Sequence, residues 1–210
     1  MKKIVITMLF CALFLSCEKI TKSIDETLKP NDTIVSKKIE NASSPSILQD
    51  EKKEVNLLTD LKTLEKAEAE LKKLPQYKGK EMFVYSTLYF YGDGRINAML
   101  QHPENPKYVD TYEFRDDKWS EPIPVQLSVR DDIKGRLVPL NKISFVTAAK
   151  VAQVYNEKTK EVEGAKPTTS VYISVWENKI RWYPSSINGS RERYSIEFTD
   201  DGSLKSFQQN

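Results

Sequence analysis

One short motif occurs twice in this chain of 210 residues. The sequence EFRDD at 113–117 returns 84 positions later as EFTDD at 197–201. At the same offset, and without a gap, the run LEKAEAEL at 64–71 aligns with AAKVAQVY at 148–155. Each copy of an internal repeat folds as one supersecondary unit, so a repeat constrains the fold more than an isolated motif does. The sequence therefore predicts two copies of one structural unit.

The residue pattern within the repeat predicts the elements of this unit. Tyr112 and Phe114 alternate with polar neighbours, as Ile196 and Phe198 do in the second copy, and this period of two is typical of a strand with one buried face. The run at 64–71 has apolar residues at helical spacing, and two Asp-Gly pairs predict tight turns. We therefore expect an α+β fold with a tandem repeat of a helix plus four-stranded antiparallel sheet unit, the helices packed on one sheet face. The first unit with its connector covers 57–136, and the second covers 137–210.

The repeated acidic motif allows two interpretations. If Glu113 and Glu197 approached each other across a twofold axis between the copies, they would form a carboxylate pair of the kind that hydrolyses glycosides at a separation of roughly 5 to 10 Å. The sequence offers no apolar surroundings that would desolvate either glutamate. The structural interpretation is favoured, in which the phenylalanine enters the core, the glutamate faces out and the aspartates bond to the backbone of a hairpin turn.

The first residues predict where the protein resides. Two lysines precede the apolar run 4–15, which is shorter than the roughly 20 residues of a membrane-spanning helix and has the form of a secretory signal. The run ends in the stretch LFLSC at 13–17, which resembles the lipobox of bacterial lipoproteins. That resemblance implies a signal peptide at 1–16, and a Cys17 that is acylated, for example with palmitate, and anchors the mature chain in a lipid bilayer. Plain secretion with an unmodified Cys17 is the alternative.

The segment after the cysteine, 17–56, has the composition of a tether. It is rich in Lys, Glu, Ser, Asn and Asp, and its apolar residues are scattered. Such a segment buries too little surface to offset the entropy of ordering, so we expect it to be flexible. The residue after Cys17 is Glu18 rather than Asp, which resembles the sorting pattern of enterobacterial lipoproteins that reach the outer membrane. This resemblance implies a location in the cell envelope, on the outer membrane, facing the periplasm or the cell surface.

Composition excludes several classes of function. Residues 1–16 contain two of the 32 basic residues and none of the 30 acidic ones, so the mature chain has no net charge. Proteins that bind nucleic acid usually carry a basic patch, so we expect no nucleic-acid partner. With Cys11 removed and Cys17 acylated, no thiol remains for a disulfide or a metal site. His102 is the single histidine and begins the loop HPENP, so we expect no metal, no cofactor, no catalytic residue and no enzymatic activity.

The strands carry aromatic residues on both faces. In MFVYSTLYFY at 82–91, alternation places Tyr89 and Tyr91 on one face and Phe90 on the other. We expect one sheet face to pack under the helices and the other to be partly open. The residues predicted on this open face are Phe90, Met99, Trp176, Arg181 and Tyr183. Exposed aromatic residues with an arginine are typical of protein interfaces, so the face is a candidate protein-binding surface, unless the connector 120–146 covers it.

A duplicated helix-plus-four-strand unit over 60–210 resembles the tandem architecture of beta-lactamase inhibitor proteins, and also small PepSY-like and outer-membrane-assembly lipoproteins. The resemblance implies a helix-backed antiparallel sheet whose concave face binds another protein. We therefore expect a membrane-anchored lipoprotein that acts as a non-catalytic protein-binding module, such as an inhibitor or an immunity protein. An envelope-assembly or scaffold accessory, and a hydrolase that uses exposed carboxylates, are the alternatives.

Overall fold

The computed structural model describes residues 56–210. The predicted signal peptide, Cys17 and the tether up to residue 55 lie outside the described residues. The helices are α1 (Leu61–Leu71) and α2 (Val146–Thr159). The strands are β1 (Phe83–Tyr91), β2 (Ile96–Gln101), β3 (Val109–Arg115), β4 (Lys118–Trp119), β5 (Ile123–Pro124), β6 (Leu137–Pro139), β7 (Ser170–Trp176), β8 (Lys179–Tyr183), β9 (Ser186–Asn188), β10 (Arg193–Phe198) and β11 (Leu204–Gln209).

Side-chain contacts fix where both helices begin. Asp60 accepts hydrogen bonds from the backbone N–H (3.1 Å) and the Oγ1 (2.8 Å) of Thr63, which satisfies a free donor in the first turn of α1. The N-cap residue of α2 makes no such side-chain bond. Instead, Glu68 of α1 accepts a hydrogen bond of 2.7 Å from the backbone N–H of Phe145, immediately before α2. The start of the second helix is therefore held by the first helix.

The large sheet is antiparallel and contains strands from both halves of the chain. Its order is β4-β3-β2-β1-β7-β8, with β5 also paired to β3 and β6 also paired to β1. β1 is central: it pairs with β2 on one side and with β7 on the other, where Tyr89 lies opposite Tyr172. Because β1 and β7 belong to the two predicted units, these units share one sheet and are not separate domains.

The second half does not form a four-stranded sheet of its own. β9, β10 and β11 form a separate antiparallel sheet in the order β11-β10-β9. Ile96 of β2 pairs with Phe114 of β3, but the residues 84 positions later, Ile180 and Phe198, lie in different sheets. Pro184 follows β8 and has no N–H for a ladder hydrogen bond, so the strand ends there. The α+β class is confirmed, whereas the prediction of two equivalent four-stranded sheets is wrong and the topology does not confirm the tandem repeat.

The main core lies between the two helices and one face of the large sheet. α1 contributes Leu64, Ala67 and Leu71, all completely buried, and the buried side of α2 is made largely of alanine and valine. The buried sheet residues of this core include Leu88, Phe90, Ile96, Ala98, Leu100, Tyr112, Phe114, Val171, Ile173 and Trp182. A smaller cluster of Tyr155, Val162, Ile187 and Ile196 packs the small sheet against the end of α2. The helices thus cover one sheet face, as predicted.

Candidate functional site

The sheet face opposite the helices carries four of the five predicted binding residues. Met99, Trp176, Arg181 and Tyr183 alternate along β2, β7 and β8 with buried core residues, and strand pairing places all four on this side. We call this side the open face. The prediction for Phe90 is wrong, because Phe90 is completely buried in the core.

Phe90 is buried because β1 turns its wholly apolar side towards the helices. The ring makes an edge-to-face contact with Phe145, with 5.1 Å between the ring centroids. Leu88, two residues earlier, is buried on the same side. The sequence contained a signal for this orientation, since Leu88 and Phe90 have no polar atoms, whereas each tyrosine hydroxyl on the other side needs water or a hydrogen-bond partner. The open face therefore carries Tyr89 and Tyr91, which the prediction had placed on the opposite side from Phe90.

Four tyrosines form a continuous row across the open face. Tyr91 stacks on Tyr89 at 5.9 Å between ring centroids, Tyr89 on Tyr172 at 4.5 Å, and Tyr172 on Tyr183 at 4.7 Å. The strand register explains this row, because Tyr172 lies opposite Tyr89 on one side and opposite Tyr183 on the other. All four side chains are half-buried. Burial, together with the neighbouring Tyr89 and Tyr183, raises the pKa of Tyr172 above its ordinary value. We call these residues the tyrosine row.

Two arginines lie over aromatic rings of the open face. The guanidinium of Arg95 is 4.5 Å from the centroid of Tyr91, and that of Arg136 is 4.8 Å from the centroid of Trp176. Arg136 belongs to the connector, which is also held by the side-chain amide of Asn178, a donor to two connector carbonyls at 2.7 and 2.8 Å. The connector thus covers one corner of the open face and still leaves Trp176 60% exposed. The sequence prediction did not include Arg136, because nothing local indicates that the connector returns to β7.

A cleft of about 1,210 Å³ separates the edge of the large sheet from the small sheet. β8 is the last strand of the large sheet and forms one wall with Ile180 and Arg181, while Phe198 of β10 lines the other wall. The indole N–H of Trp182 donates a hydrogen bond of 3.1 Å to the carbonyl of Asp200, which links the two walls. Among the described residues, no strand pairs with the outer edge of β8, which lines this cleft.

The repeated acidic motif lies at two hairpin turns, in agreement with the structural interpretation. Asp116 and Asp117 have left-handed backbone conformations, with φ of +49° and +64°, in the turn between β3 and β4. Asp201, in the turn between β10 and β11, accepts hydrogen bonds from Lys150 and Thr199. The bond from the Lys150 ammonium is the main reason why the pKa of the Asp201 carboxyl lies well below its ordinary value. These aspartates build turns and hold them against neighbouring elements.

The remaining candidate side chains also have structural partners. Glu113 lies 2.9 Å from the guanidinium of Arg115, and Glu197 lies 3.1 Å from the ammonium of Lys205. His102 accepts two backbone hydrogen bonds at its Nδ1 and thereby shapes its own loop. Within residues 56–210, no cluster of three or more His, Cys, Asp or Glu side chains is arranged to hold a metal ion.

Comparisons of the chain with protein-family models, with curated proteins and with solved structures found no match. Over residues 56–210, no helix has the length and apolar character needed to cross a membrane.

Proposed function

We propose that this chain is a membrane-anchored, non-catalytic protein-binding module of the bacterial cell envelope, and that it binds its partner through the open face. The tyrosine row is the observation that carries this proposal. Tyrosine and tryptophan offer large, stiff contact areas and lose little rotamer freedom on binding. Arg95 and Arg136 add planar donor groups beside the aromatic rings, and arginine is enriched with these residues at the energetic centres of protein interfaces.

The N-terminal sequence supports an envelope location for this module. We infer that residues 1–16 are removed as a signal peptide, that Cys17 is acylated, and that 17–56 tethers the folded part to the outer membrane. A flexible tether of this length spans roughly 30 to 40 Å r.m.s.. A module held at this distance from the bilayer, facing the periplasm or the cell surface, is suited to an inhibitor or immunity protein that meets its partner near the membrane.

We further infer that the two halves are copies of one unit, and that the sheet of the second copy has split. Lys66 Nζ lies 3.1 Å from Asp117 Oδ2, and Lys150 Nζ lies 2.8 Å from Asp201 Oδ2. The two lysines are 84 positions apart in the sequence, and so are the two aspartates. Each ion pair joins the helix of its half to the hairpin turn that carries the acidic motif. Equivalent contacts at a constant offset support duplication. In the second copy the cleft lies between β8 and β10, which correspond to the paired strands β2 and β3 of the first copy.

Trp176 and Tyr108 provide a matched pair of variants for testing the open face. Each side chain is 60% exposed, but Tyr108 lies in the loop between β2 and β3, beside His102. In the experiment, the full-length chain with a C-terminal tag is crosslinked in cells. The captured protein is then identified, purified and titrated with wild type, Trp176→Ala and Tyr108→Ala.

The proposal predicts that Trp176→Ala weakens binding to the captured protein by about thirtyfold or more, because truncating an interface hot spot typically loses at least about 2 kcal/mol. Tyr108→Ala leaves the affinity unchanged. Circular dichroism spectra and melting temperatures of both variants show whether the fold is intact. Identical affinities for wild type and Trp176→Ala would contradict binding through the open face.

A further inference from the structure

We propose that the edge of β8 receives an extended peptide segment of the protein partner, which adds a strand to the large sheet inside the cleft and has acidic and apolar residues in alternation. This inference rests on the proposed function and names the chemistry of the partner. Three properties of the cleft carry it: the unpaired edge of β8, the difference between the two faces of β8, and the space beside the strand.

The edge of β8 has free backbone groups. β8 pairs with β7 on one side only, from Tyr172↔Tyr183 to Trp176↔Lys179, and it is the last strand in the sheet order. An edge strand presents a row of unpaired N–H and C=O groups, which is a template for pairing with another chain. Peptides that add a strand to such an edge gain affinity from main-chain hydrogen bonds and specificity from alternate side chains.

The two faces of β8 differ in chemistry, and this difference defines the side chains of the added strand. Lys179 and Arg181 are exposed on the open face, and neither is in an ion pair within residues 56–210. Directly opposite residues of neighbouring strands lie about 4.5 to 5.5 Å apart at Cβ, and opposite charges stabilise such pairs. The residues of the added strand that point to the open face are therefore acidic.

The other face of β8 requires apolar residues. Ile180 is half-buried there and Trp182 is buried, and the half-buried ring of Phe198 lines the opposite wall of the cleft. Side chains alternate between the faces of a strand, so the residues of the added strand that lie between its acidic positions point towards these apolar groups. Of the other carboxylates in the cleft lining, Glu197 and Asp201 have lysine partners, whereas Glu177 lies in the turn before β8 and Asp200 in the turn after β10. The charged side chains on β8 itself are both cations.

The cleft has room for such a strand. A neighbouring strand lies about 4.8 Å away in the hydrogen-bonding direction, and three residues in extended conformation span about 10 Å. The cleft beside β8 encloses about 1,210 Å³ and reaches Glu177 and Lys179. β10 approaches the other end of β8, where the backbone N–H of Ile196 donates a hydrogen bond of 3.0 Å to the carbonyl of Ser185, so the added strand lies along residues 179–181. The link between Trp182 and Asp200 involves a side chain that points away from the open face, so it does not occupy the edge of β8.

Synthetic peptides test this proposal with the full-length chain in detergent. The probe is an acetylated, fluorescently labelled octapeptide of alternating glutamate and valine, and the matched peptide has lysine in place of glutamate. The glutamate peptide is expected to bind at least tenfold more tightly. It is also expected to slow amide hydrogen exchange at Ile180, the position between the two cations of β8.

Variants and a modified peptide separate strand addition from simple charge attraction. The double substitution Lys179→Glu with Arg181→Glu is expected to reverse the preference between the two peptides, whereas Lys142→Glu, an exposed lysine outside the cleft, keeps it. Only every second backbone N–H of an added strand points towards β8. Methylating this set of amides in the glutamate peptide is expected to abolish binding, whereas methylating the other set is expected to leave binding intact.

Equal affinities for the two peptides, or unchanged hydrogen exchange at Ile180, would overturn strand addition. The cations of β8 would then serve to prevent edge pairing, as lysines on edge strands often do. Exchange at β8 that slows with protein concentration alone would also overturn it, because the occupant would be a second copy of the chain. If the peptides do not bind as predicted but Trp176→Ala still weakens binding to the captured protein, only this inference fails and the proposed function stands.

Discussion

Alanine substitutions at Phe90 and Trp176 separate the core of the large sheet from its open face. Both are large aromatic residues that sequence reasoning placed on the same surface. In the structure Phe90 is 0% exposed and Trp176 is 60% exposed. The two substitutions are therefore expected to affect the free energy of unfolding very differently.

The expected magnitudes follow from the buried area. Removing a completely buried phenylalanine side chain loses about 3 to 5 kcal/mol, including the cavity that remains. Only two-fifths of Trp176 is buried, which for an aromatic side chain corresponds to roughly 60 to 100 Å². At about 25 cal/mol per Å² this burial contributes roughly 1.5 to 2.5 kcal/mol. Since the unfolded chain already buries part of this area, we expect Trp176→Ala to lose about 1 to 2 kcal/mol.

Urea denaturation followed by far-UV circular dichroism measures both losses without relying on tryptophan fluorescence. Unchanged slopes with urea would show that the unfolded state is comparable in the variants. If Phe90→Ala fails to fold, the loss for Trp176→Ala is compared directly with the roughly 3 to 5 kcal/mol that truncation of a buried phenylalanine typically loses. A loss for Trp176→Ala as large as that for Phe90→Ala would refute the assignment of Trp176 to an open face.

Two further predictions concern positions outside the open face. Gly202 has φ of +77°, and an added Cβ would lie 2.8 Å from Thr147 Cγ2; Gly202→Ala is therefore expected to destabilise the fold by about 2 to 4 kcal/mol from backbone strain and overpacking. At Gly94, φ is +97° and an added Cβ meets nothing within 4 Å. Gly94→Ala is therefore expected to destabilise the fold only through backbone strain, and equal melting temperatures of the two variants would count against this explanation. Burial raises the pKa of Tyr77, whose hydroxyl donates to the carbonyl of Gln101 at 3.0 Å. The folded state therefore favours the neutral phenol. Its contribution to the free energy of unfolding is complete below about pH 10 and declines above it. The free energy of unfolding should therefore fall less steeply above about pH 10 in Tyr77→Phe than in wild type, and parallel slopes in urea titrations at several alkaline pH values would contradict this role.

Local patterns in the sequence were sufficient for the elements and the turns. The alternation around Tyr112 and Phe114 predicted a strand with one buried face, and both residues are buried in β3. The two acidic motifs were correctly placed in hairpin turns, because the preference of aspartate for such turns depends only on nearby backbone. Four of the five residues predicted on the open face lie there for the same reason: the side-chain period of a strand is a local property.

Tertiary contacts decided which strands pair and which face of β1 is buried. A bulge in β1, where Ser86 has φ of +59°, shifts the register with β2, and both faces of β1 carry aromatic residues, so alternation alone could not assign Phe90. The pairing of β1 with β7 and the separation of β8 from β10 join or part residues that are far apart in the chain. A local pattern shows that a strand has one buried face, but the choice of neighbour depends on the free energy of packing the whole core, and this choice created both the tyrosine row and the cleft.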